Sequence, residues 1–337
     1  MTRRLSSGQF FLEAPAEVKA FFRHILGRDI SFFFEVIYIE IKCDGDYEMK
    51  QITIEAPAKI NLTLDVIGKR DDGYHDFETV MHQIDLCDYV KVELIPEGIE
   101  VWTDNPALPG GADNLAFKAA QVMKEQLNIK TGFRISIEKN IPLSSGLAGG
   151  STDAAAVMKA INSLLDLEIS RKDLNELGLK VGSDVVFCLE GATALAKGRG
   201  EILTPIICQA GLELVLVNSG FPVSTARIFD LIDGEKLIHR PDSMLMARAM
   251  EEGNLDKIVL ALGNVMEQVT IKLYPDLQKI KDDLMEQGAR GVMMSGSGPT
   301  VFGIISGAEV ADQVFQRMLS LYPRTFRASS YRGSEGA

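Results

Sequence analysis

The 337-residue sequence has no apolar run near the ~18–20 residues that a membrane-spanning helix needs. Its four cysteines, Cys43, Cys87, Cys188 and Cys208, are far apart and form no C-x-x-C pair, so neither a zinc site nor a disulfide framework is predicted. It also lacks a surplus of basic residues, since 35 Lys and Arg stand against 47 Asp and Glu, a net charge of −12. These absences argue against a membrane protein, a disulfide scaffold and a protein that binds long nucleic acids.

The composition, with 46% hydrophobic and 24% charged residues, is typical of a folded globular protein. The length predicts two domains at ~100–200 residues each. Helix-like and strand-like spacings are interleaved without a strict β-α-β rhythm, which favours an α+β fold over a doubly wound sheet. Separate strands are predicted at residues 51–55, 59–67 and 185–189, together with a helix that Asp113 caps.

The first 48 residues differ from the rest, because they hold seven of the 16 Phe residues with six basic and eight acidic side chains. They are too acidic for a transit peptide and lack the uninterrupted apolar core of a secretory signal. We expect an appendage or an over-extended gene start, with a hydrophobic docking arm as the alternative. The predicted layout is therefore an extension at 1–48, one domain at 49–218 and a second at 219–337.

The strongest local signal is the segment 141–156, which follows a predicted strand and opens a predicted helix. Three glycines and four hydroxyl residues fall within nine positions, so backbone N–H groups can approach an anion at a helix N-terminus. We interpret it as a cradle for nucleotide phosphates rather than a flexible turn, although neither a Walker A loop nor a G-x-G-x-x-G pattern fits. The candidate residues are Pro142, Ser144, Ser145, Gly146, Leu147, Ala148, Gly149, Gly150, Ser151 and Thr152.

Two further segments carry polar groups whose function the sequence alone leaves open. Lys59 and Asn61 are two apart in an extended stretch and share a face, which suggests a polar site unless Lys59 is simply solvated. Tyr74 and His75 follow an Asp-Gly turn and could stack on a base or bind its edge, or could merely form a hairpin tip.

Two more segments have the same ambiguity. Asp184 follows a glycine and precedes an apolar run, where it can be a general base or an ordinary capping residue. The turn formed by Ser295, Gly296, Ser297 and Gly298 is small enough to approach a ligand or the first loop, or is an ordinary turn.

In combination, the segments 142–156, 56–64 and 294–300 resemble the three ordered motifs of the GHMP small-molecule kinases. Pro-Ala-Lys-Ile-Asn, Asp-Gly-Tyr-His, Gly-Leu-Ala-Gly-Gly-Ser and Gly-Ser-Asp-Val are similar to the branch of that family that phosphorylates 4-diphosphocytidyl-2-C-methyl-D-erythritol. The resemblance runs from Met49 to the last predicted strand. Two alternatives are another GHMP kinase and a non-catalytic nucleotide-binding homologue.

The resemblance implies a ribosomal protein S5 domain 2-like N-terminal domain, a ferredoxin-like C-terminal domain and a cytoplasmic enzyme of the non-mevalonate isoprenoid pathway. It implies ATP as phosphoryl donor with Mg²⁺, for which Ser151 is the candidate ligand, and a monomer or weak homodimer. Asp184 matches the catalytic base and Lys59 the lysine beside the reacting hydroxyl. Asn61 and Asp184 would line the substrate pocket, with the cytidine near Tyr74 and His75.

Three positions depart from the usual pattern of the family. Val186 replaces a proline after the Asp-Val pair, which removes a φ constraint and restores an N–H group. Ala148 stands where Gly is frequent, and Thr152 where Ser is frequent. None of these changes removes a proposed catalytic group.

Overall fold

The computed structural model describes residues 37–44 and 47–333, so predictions that concern residues 1–36 lie outside the described residues. The described residues form twelve strands and ten helices in a mixed α+β arrangement with two sheets. This confirms the predicted fold class. No helix within the described ranges is long and apolar enough to cross a membrane.

The first sheet is built on two unusually long strands, of 23 and 21 residues, in which residues 56–66 and 79–84 are buried without interruption. A single strand of 23 residues covers the two strands predicted at 51–55 and 59–67, so the prediction of two elements was wrong. Pro57 does not interrupt it, because the pairing shifts register at three β-bulges, one of them directly after that proline. The strands are β1 (Ile37–Asp44), β2 (Tyr47–Lys69), β3 (His75–Ile95), β4 (Ile99–Thr103), β5 (Gly132–Glu138), β6 (Thr193–Lys197) and β7 (Ile202–Pro205).

The sheet order is β1-β2-β3-β5-β4, with β6 pairing with β3 and with β7. β1 pairs antiparallel with β2, so the last part of the predicted extension adds an edge strand to the sheet. The boundary predicted between residues 48 and 49 lies inside β2 and marks no break in the backbone.

Four helices cover one face of this sheet and enclose a core that includes Met123, Phe133 and Phe187. The first begins one residue later than predicted, because Asn114 rather than Asp113 accepts the hydrogen bond from the Ala116 N–H group, at 2.9 Å. The helices are α1 (Leu115–Leu127), α2 (Gly149–Leu164), α3 (Arg171–Val181) and α4 (Ser183–Glu190).

The strand predicted at residues 185–189 is also wrong, since these residues belong to α4. All five side chains of this stretch are buried, and a continuous apolar run carries no periodicity that separates a short buried helix from a buried strand.

The second sheet has the order β10-β11-β8-β12 and is entirely antiparallel. Because β8 ends at Asn218 and lies between β11 and β12, sheet membership places this strand with the C-terminal half, although the sequence assigns it to the first domain. The elements are β8 (Glu213–Asn218), α5 (Thr225–Ile232), α6 (Ser243–Glu252), α7 (Leu255–Ala261), β9 (Gly263–Asn264), α8 (Glu267–Leu273), α9 (Asp276–Glu286), β10 (Gly291–Met294), β11 (Thr300–Ile305), α10 (Ala308–Leu321) and β12 (Thr325–Ser329).

The two halves share a continuous apolar core. Ile60 and Leu62 from β2 are fully buried in the same cluster as Leu214, Phe302 and Met250 from the C-terminal half. β9 adds a short parallel pairing to β2 at Thr63 and Leu64. The halves are therefore held against each other by both apolar burial and backbone hydrogen bonds.

The other face of the first sheet carries an open groove of about 590 Å³, lined in part by Tyr89, Lys91 and Trp102. None of the candidate site residues lines it. Trp102 is 64% exposed there, whereas Phe133 on the neighbouring strand is completely buried under the helices.

We expect Phe133→Ala to lower the free energy of unfolding by about 3–5 kcal/mol, because it removes a buried ring and leaves a cavity. Trp102→Ala is the control on the exposed face and should change the free energy of unfolding by no more than about 1 kcal/mol. Urea denaturation measures both. Similar losses in the two variants would contradict the assignment of buried and open faces.

Candidate active site

The predicted phosphate loop lies between β5 and α2. Ala148 caps α2 in the left-handed conformation, with φ 59° and ψ 28°, and makes no side-chain capping bond. The first amide groups of the helix, at Gly149 and Gly150, have no intrahelical acceptor and carry the positive end of the helix dipole. The departure at Ala148 is therefore compatible with an exposed helix N-terminus at the predicted anion-binding loop.

The four hydroxyl residues of the loop differ in their surroundings. Ser145 and Thr152 are buried, Ser151 is partly buried and Ser144 is exposed. The Ser145 hydroxyl is buried without a hydrogen-bond partner among the described residues. Ser151, in the first turn of α2, is the hydroxyl that combines partial exposure with proximity to the helix N-terminus.

The Gly/Ser turn between β10 and β11 contacts the phosphate loop directly. The Ser295 hydroxyl donates to the Gly146 carbonyl at 3.0 Å, and the Thr300 N–H group donates to the Ser145 carbonyl at 3.3 Å. Gly146 has φ 78°, and a Cβ there would lie only 2.2 Å from the Ser295 carbonyl oxygen. Only glycine fits this contact.

A residue that the sequence did not single out holds the turn in place. The Asn264 amide on β9 donates to the carbonyl oxygens of Met294 and Gly296, both at 2.8 Å. The Ser297 hydroxyl is 2.8 Å from that of Thr225 at the start of α5. Nothing in the local sequence marks Asn264, because its partners lie about thirty positions away.

Lys59 lies at the centre of the arrangement. Its Nζ donates to Asn61 Oδ1 at 2.8 Å and to the Gly146 carbonyl at 3.3 Å, and lies 3.9 Å from Asp184 Oδ2. The Lys59 side chain is 6% exposed and that of Asp184 is 37% exposed. The predicted common face of Lys59 and Asn61 is confirmed, and a simply solvated lysine is excluded. A buried ammonium group thus connects the phosphate loop with an accessible carboxylate.

Asp184 is the second residue of α4 rather than the start of a strand. Val186 lies in the same first turns of the helix. Asn61 is oriented by a further bond, because its amide donates to the Thr79 hydroxyl at 2.9 Å. The carboxylate and the amide therefore both belong to regular elements, and both lie within 4 Å of the Lys59 ammonium group.

The structure separates the two rings that follow the Asp-Gly turn. Tyr74 is 58% exposed, and the Arg199 guanidinium lies 4.7 Å from the centre of its ring. His75 is buried: its ring stacks on Phe229 at 4.7 Å, and its Nε2 is 2.6 Å from Asp233 Oδ1. His75 thereby links β3 to α5.

Behind the phosphate loop lies a buried charge cluster formed by Lys139, Asp88 and Asp153, which the sequence analysis missed. The Lys139 ammonium donates to Asp88 and, at 2.7 Å, to Asp153. Asp88 also accepts the N–H groups of Asn140 and Ile141, at 2.6 and 2.8 Å. Lys139 Nζ lies 3.3 Å from the place of a Cβ on Gly149, directly behind the start of α2.

The cluster shifts the pKa values of its members. Burial raises the pKa of Asp153 to about 7, although the positive charge of Lys139 opposes the rise. Burial disfavours the charge on Lys139, but Asp153 and Asp88 outweigh it and raise the pKa of that ammonium group.

Two family models match the chain. "GHMP kinases N terminal domain" covers residues 114–192, which include the phosphate loop and Asp184, and "GHMP kinases C terminal" covers residues 235–324, which include the Gly/Ser turn. The chain belongs to the GHMP kinase family.

Two curated relatives carry the name of one kinase within this family. The chain is 43% identical over 287 residues to the 4-diphosphocytidyl-2-C-methyl-D-erythritol kinase of Alkaliphilus oremlandii, covering 85% of this chain and 98% of that protein. It is 45% identical over 273 residues to the kinase of the same name from Clostridium botulinum, covering 81% and 98%.

Solved structures agree with the sequence matches. A crystal structure of 4-(cytidine 5'-diphospho)-2C-methyl-D-erythritol kinase matches with a TM-score of 0.71 and 31% identity, over 82% of this chain and 98% of that one. Homoserine kinase from Cytophaga hutchinsonii matches with a TM-score of 0.68 at 20% identity, over 88% and 99%, which indicates a common fold.

We expect Gly146→Ala to destabilise the protein by about 2–4 kcal/mol, since the methyl group collides with the Ser295 carbonyl in a left-handed backbone conformation. Gly111→Ala is the matched control, because nothing lies within 4 Å of its added Cβ and its φ is not positive. Thermal and urea unfolding compare the two. Equal stability of the variants would contradict the contact between the loops.

We expect Asp153→Asn to change how stability depends on pH. Because the folded pKa of Asp153 is raised from its ordinary value of 3.8 to about 7, the folded state retains a proton that the unfolded state releases, so this group makes stability fall as pH rises through that window. Asparagine cannot titrate, so the variant should gain about 2–3 kcal/mol relative to the unmodified protein between pH 5 and pH 8.

Urea denaturation at the two pH values measures this gain. Asp256→Asn, at a position 80% exposed on its side chain, is the control and should show no such gain. A constant difference between Asp153→Asn and the unmodified protein across the pH range would refute the assignment.

Proposed function

We propose that this chain transfers the γ-phosphoryl group of ATP to the 2-hydroxyl of 4-diphosphocytidyl-2-C-methyl-D-erythritol, in the non-mevalonate route to isoprenoid precursors. Relatives at 43% and 45% identity carry the name of that kinase, whereas the homoserine kinase match at 20% identity indicates the fold alone. The observation that carries the proposal is the position of Lys59, which joins the Gly146 carbonyl to Asp184.

In this proposal the loop from Pro142 to Thr152 holds the phosphates of ATP through backbone N–H groups at the start of α2. Asp184 Oδ accepts the proton of the substrate hydroxyl as that oxygen forms a bond to the γ-phosphorus. The bond between the γ-phosphorus and the bridging oxygen breaks, and ADP leaves with that oxygen. The accessible edge of Asp184 allows the hydroxyl to approach, as a general base requires.

Lys59 would act on charge. Its ammonium group is desolvated, so its attraction for the transferring phosphoryl oxygens is stronger than that of a solvated lysine. Its bond to Asn61 and its distance from Asp184 hold it in one place, and phosphoryl transfer requires mainly positioning and charge stabilisation. Asn61 would line the substrate pocket, and the cytidine would lie near Tyr74 and His75.

Mg²⁺ would be held chiefly by the nucleotide. Within residues 37–44 and 47–333 there is no group of three or more His, Cys, Asp or Glu that could hold a metal ion. The partly exposed Ser151 hydroxyl at the start of α2 fits a single protein ligand to an ion whose other ligands are phosphate oxygens and water. When bound, the ion supplies charge neutralisation of the phosphates. The cytoplasmic location and the monomer or weak homodimer stay predictions.

The decisive measurement is ADP formation by the purified full chain with a panel of acceptors. We expect turnover with the diphosphocytidyl alcohol and none with galactose, homoserine or mevalonate. Turnover of one of those three alone would identify another GHMP kinase. ATP binding without turnover of any acceptor would identify a non-catalytic homologue.

We expect Asp184→Asn to lower kcat by about 10²–10⁴-fold, since the amide cannot accept the proton. Its melting temperature should stay close to that of the unmodified protein, because Asp184 is partly exposed. Asp312→Asn, whose side chain is 71% exposed in the C-terminal half, is the control and should retain full activity. Full activity of Asp184→Asn would exclude it as the base.

A further inference from the structure

The turn between β6 and β7 lies beside the proposed reaction centre but belongs to none of the motifs identified in the sequence. The Gly198 carbonyl accepts the N–H group of Phe77 on β3 at 2.8 Å, and Glu201 Oε2 accepts the Arg199 N–H group at 2.6 Å. A Cβ at Gly200 would lie 3.8 Å from Asp184 Oδ1. The turn is thus tied to β3 and passes directly beside the carboxylate.

Arg199 extends from this turn to the tip of the β2–β3 hairpin. Its guanidinium carbon lies 4.7 Å from the centre of the Tyr74 ring, a cation–π distance. The neighbouring cations are already paired: Lys69 with Asp233, Arg70 with Asp72 and Asp76, and Lys197 with Glu78. The Arg199 guanidinium forms no ion pair with a carboxylate of the described residues. Its charge is among the causes that lower the pKa of Asp72, but that carboxylate is paired with Arg70, so an anionic ligand would be the first direct ionic partner of Arg199.

The chemistry of the proposed substrate indicates which anionic group would bind the Arg199 guanidinium. The diphosphate joins the cytidine to the alcohol that carries the reacting hydroxyl. If the cytidine lies near Tyr74 and the hydroxyl at Asp184, the diphosphate must lie between them. The turn between β6 and β7 spans this space, because Gly200 lies beside Asp184 and Arg199 contacts the Tyr74 ring.

We propose that Arg199 binds the diphosphate of the cytidyl substrate and so determines specificity for a nucleoside diphosphate-linked alcohol. The inference rests on the proposed function. A guanidinium group presents donors in a planar fork that matches phosphate oxygens, and its contact with the Tyr74 ring restrains the side chain. Arg199 is a substrate-binding residue in this assignment and takes no part in proton transfer.

The test uses the full chain with Arg199→Gln and Arg199→Lys, and with Arg248→Gln as the control at an exposed arginine of α6. Arg199→Gln should raise KM for the diphosphocytidyl alcohol by about 10–100-fold, the range of a lost hydrogen bond to a charged group, and should leave KM for ATP within about two-fold. Arg199→Lys should recover part of the loss, because it restores the charge without the fork.

Calorimetric titration with cytidine and with CDP separates this role from support of the Tyr74 ring, and it does not depend on turnover. Arg199→Gln should lower the affinity for CDP by the same factor by which it raises KM, and should leave the affinity for cytidine unchanged. Equal weakening of both, or no change in CDP affinity and KM, would overturn the inference. Failure of the unmodified protein to turn over the diphosphocytidyl alcohol would instead overturn the proposed function.

Discussion

The backbone contact between Gly146 and Ser295 is the constraint on which the candidate site depends. It brings a loop from the first sheet within hydrogen-bond distance of a turn from the second, although the two lie 149 positions apart in the chain. Lys59 donates to the same Gly146 carbonyl, so one oxygen receives groups from both halves of the molecule. The candidate site therefore depends on how the halves are joined and not on either sheet alone.

The buried cluster behind the loop adds a second constraint of a different kind. Lys139 and Asp88 carry charge in a place from which water is excluded, and such a pair is costly unless its hydrogen bonds are satisfied. Here Asp88 uses its second oxygen for the backbone that leads into the loop. These hydrogen bonds offset the free-energy cost of burying the charges, and they also fix the position at which the loop begins. A neutral apolar core would offer no such bonds to the backbone.

Local patterns in the sequence predicted the helix that follows the Gly/Ser-rich loop and the common face of Lys59 and Asn61, because neighbours in sequence settle these features. That this loop binds phosphate stays a prediction. The helical setting of Asp184 was not predicted, since five consecutive buried apolar residues have no period. The cluster around Lys139 was missed because its partners are 51 and 14 positions away in the chain. Arg199 was missed because its contact with the Tyr74 ring depends on the fold and leaves no local pattern in the sequence.

The bulges in β2 have a consequence for how this sequence can vary. The register against β3 shifts between Pro57 and Lys59 and again between Asn61 and Thr63, so the segment that carries the polar pair is enclosed by two irregularities. Successive strand residues point to opposite faces, and one added or lost residue would turn Lys59 and Asn61 away from the Gly146 carbonyl and Asp184. The number of residues between the two bulges is thus fixed by geometry, and variation there is confined to substitution.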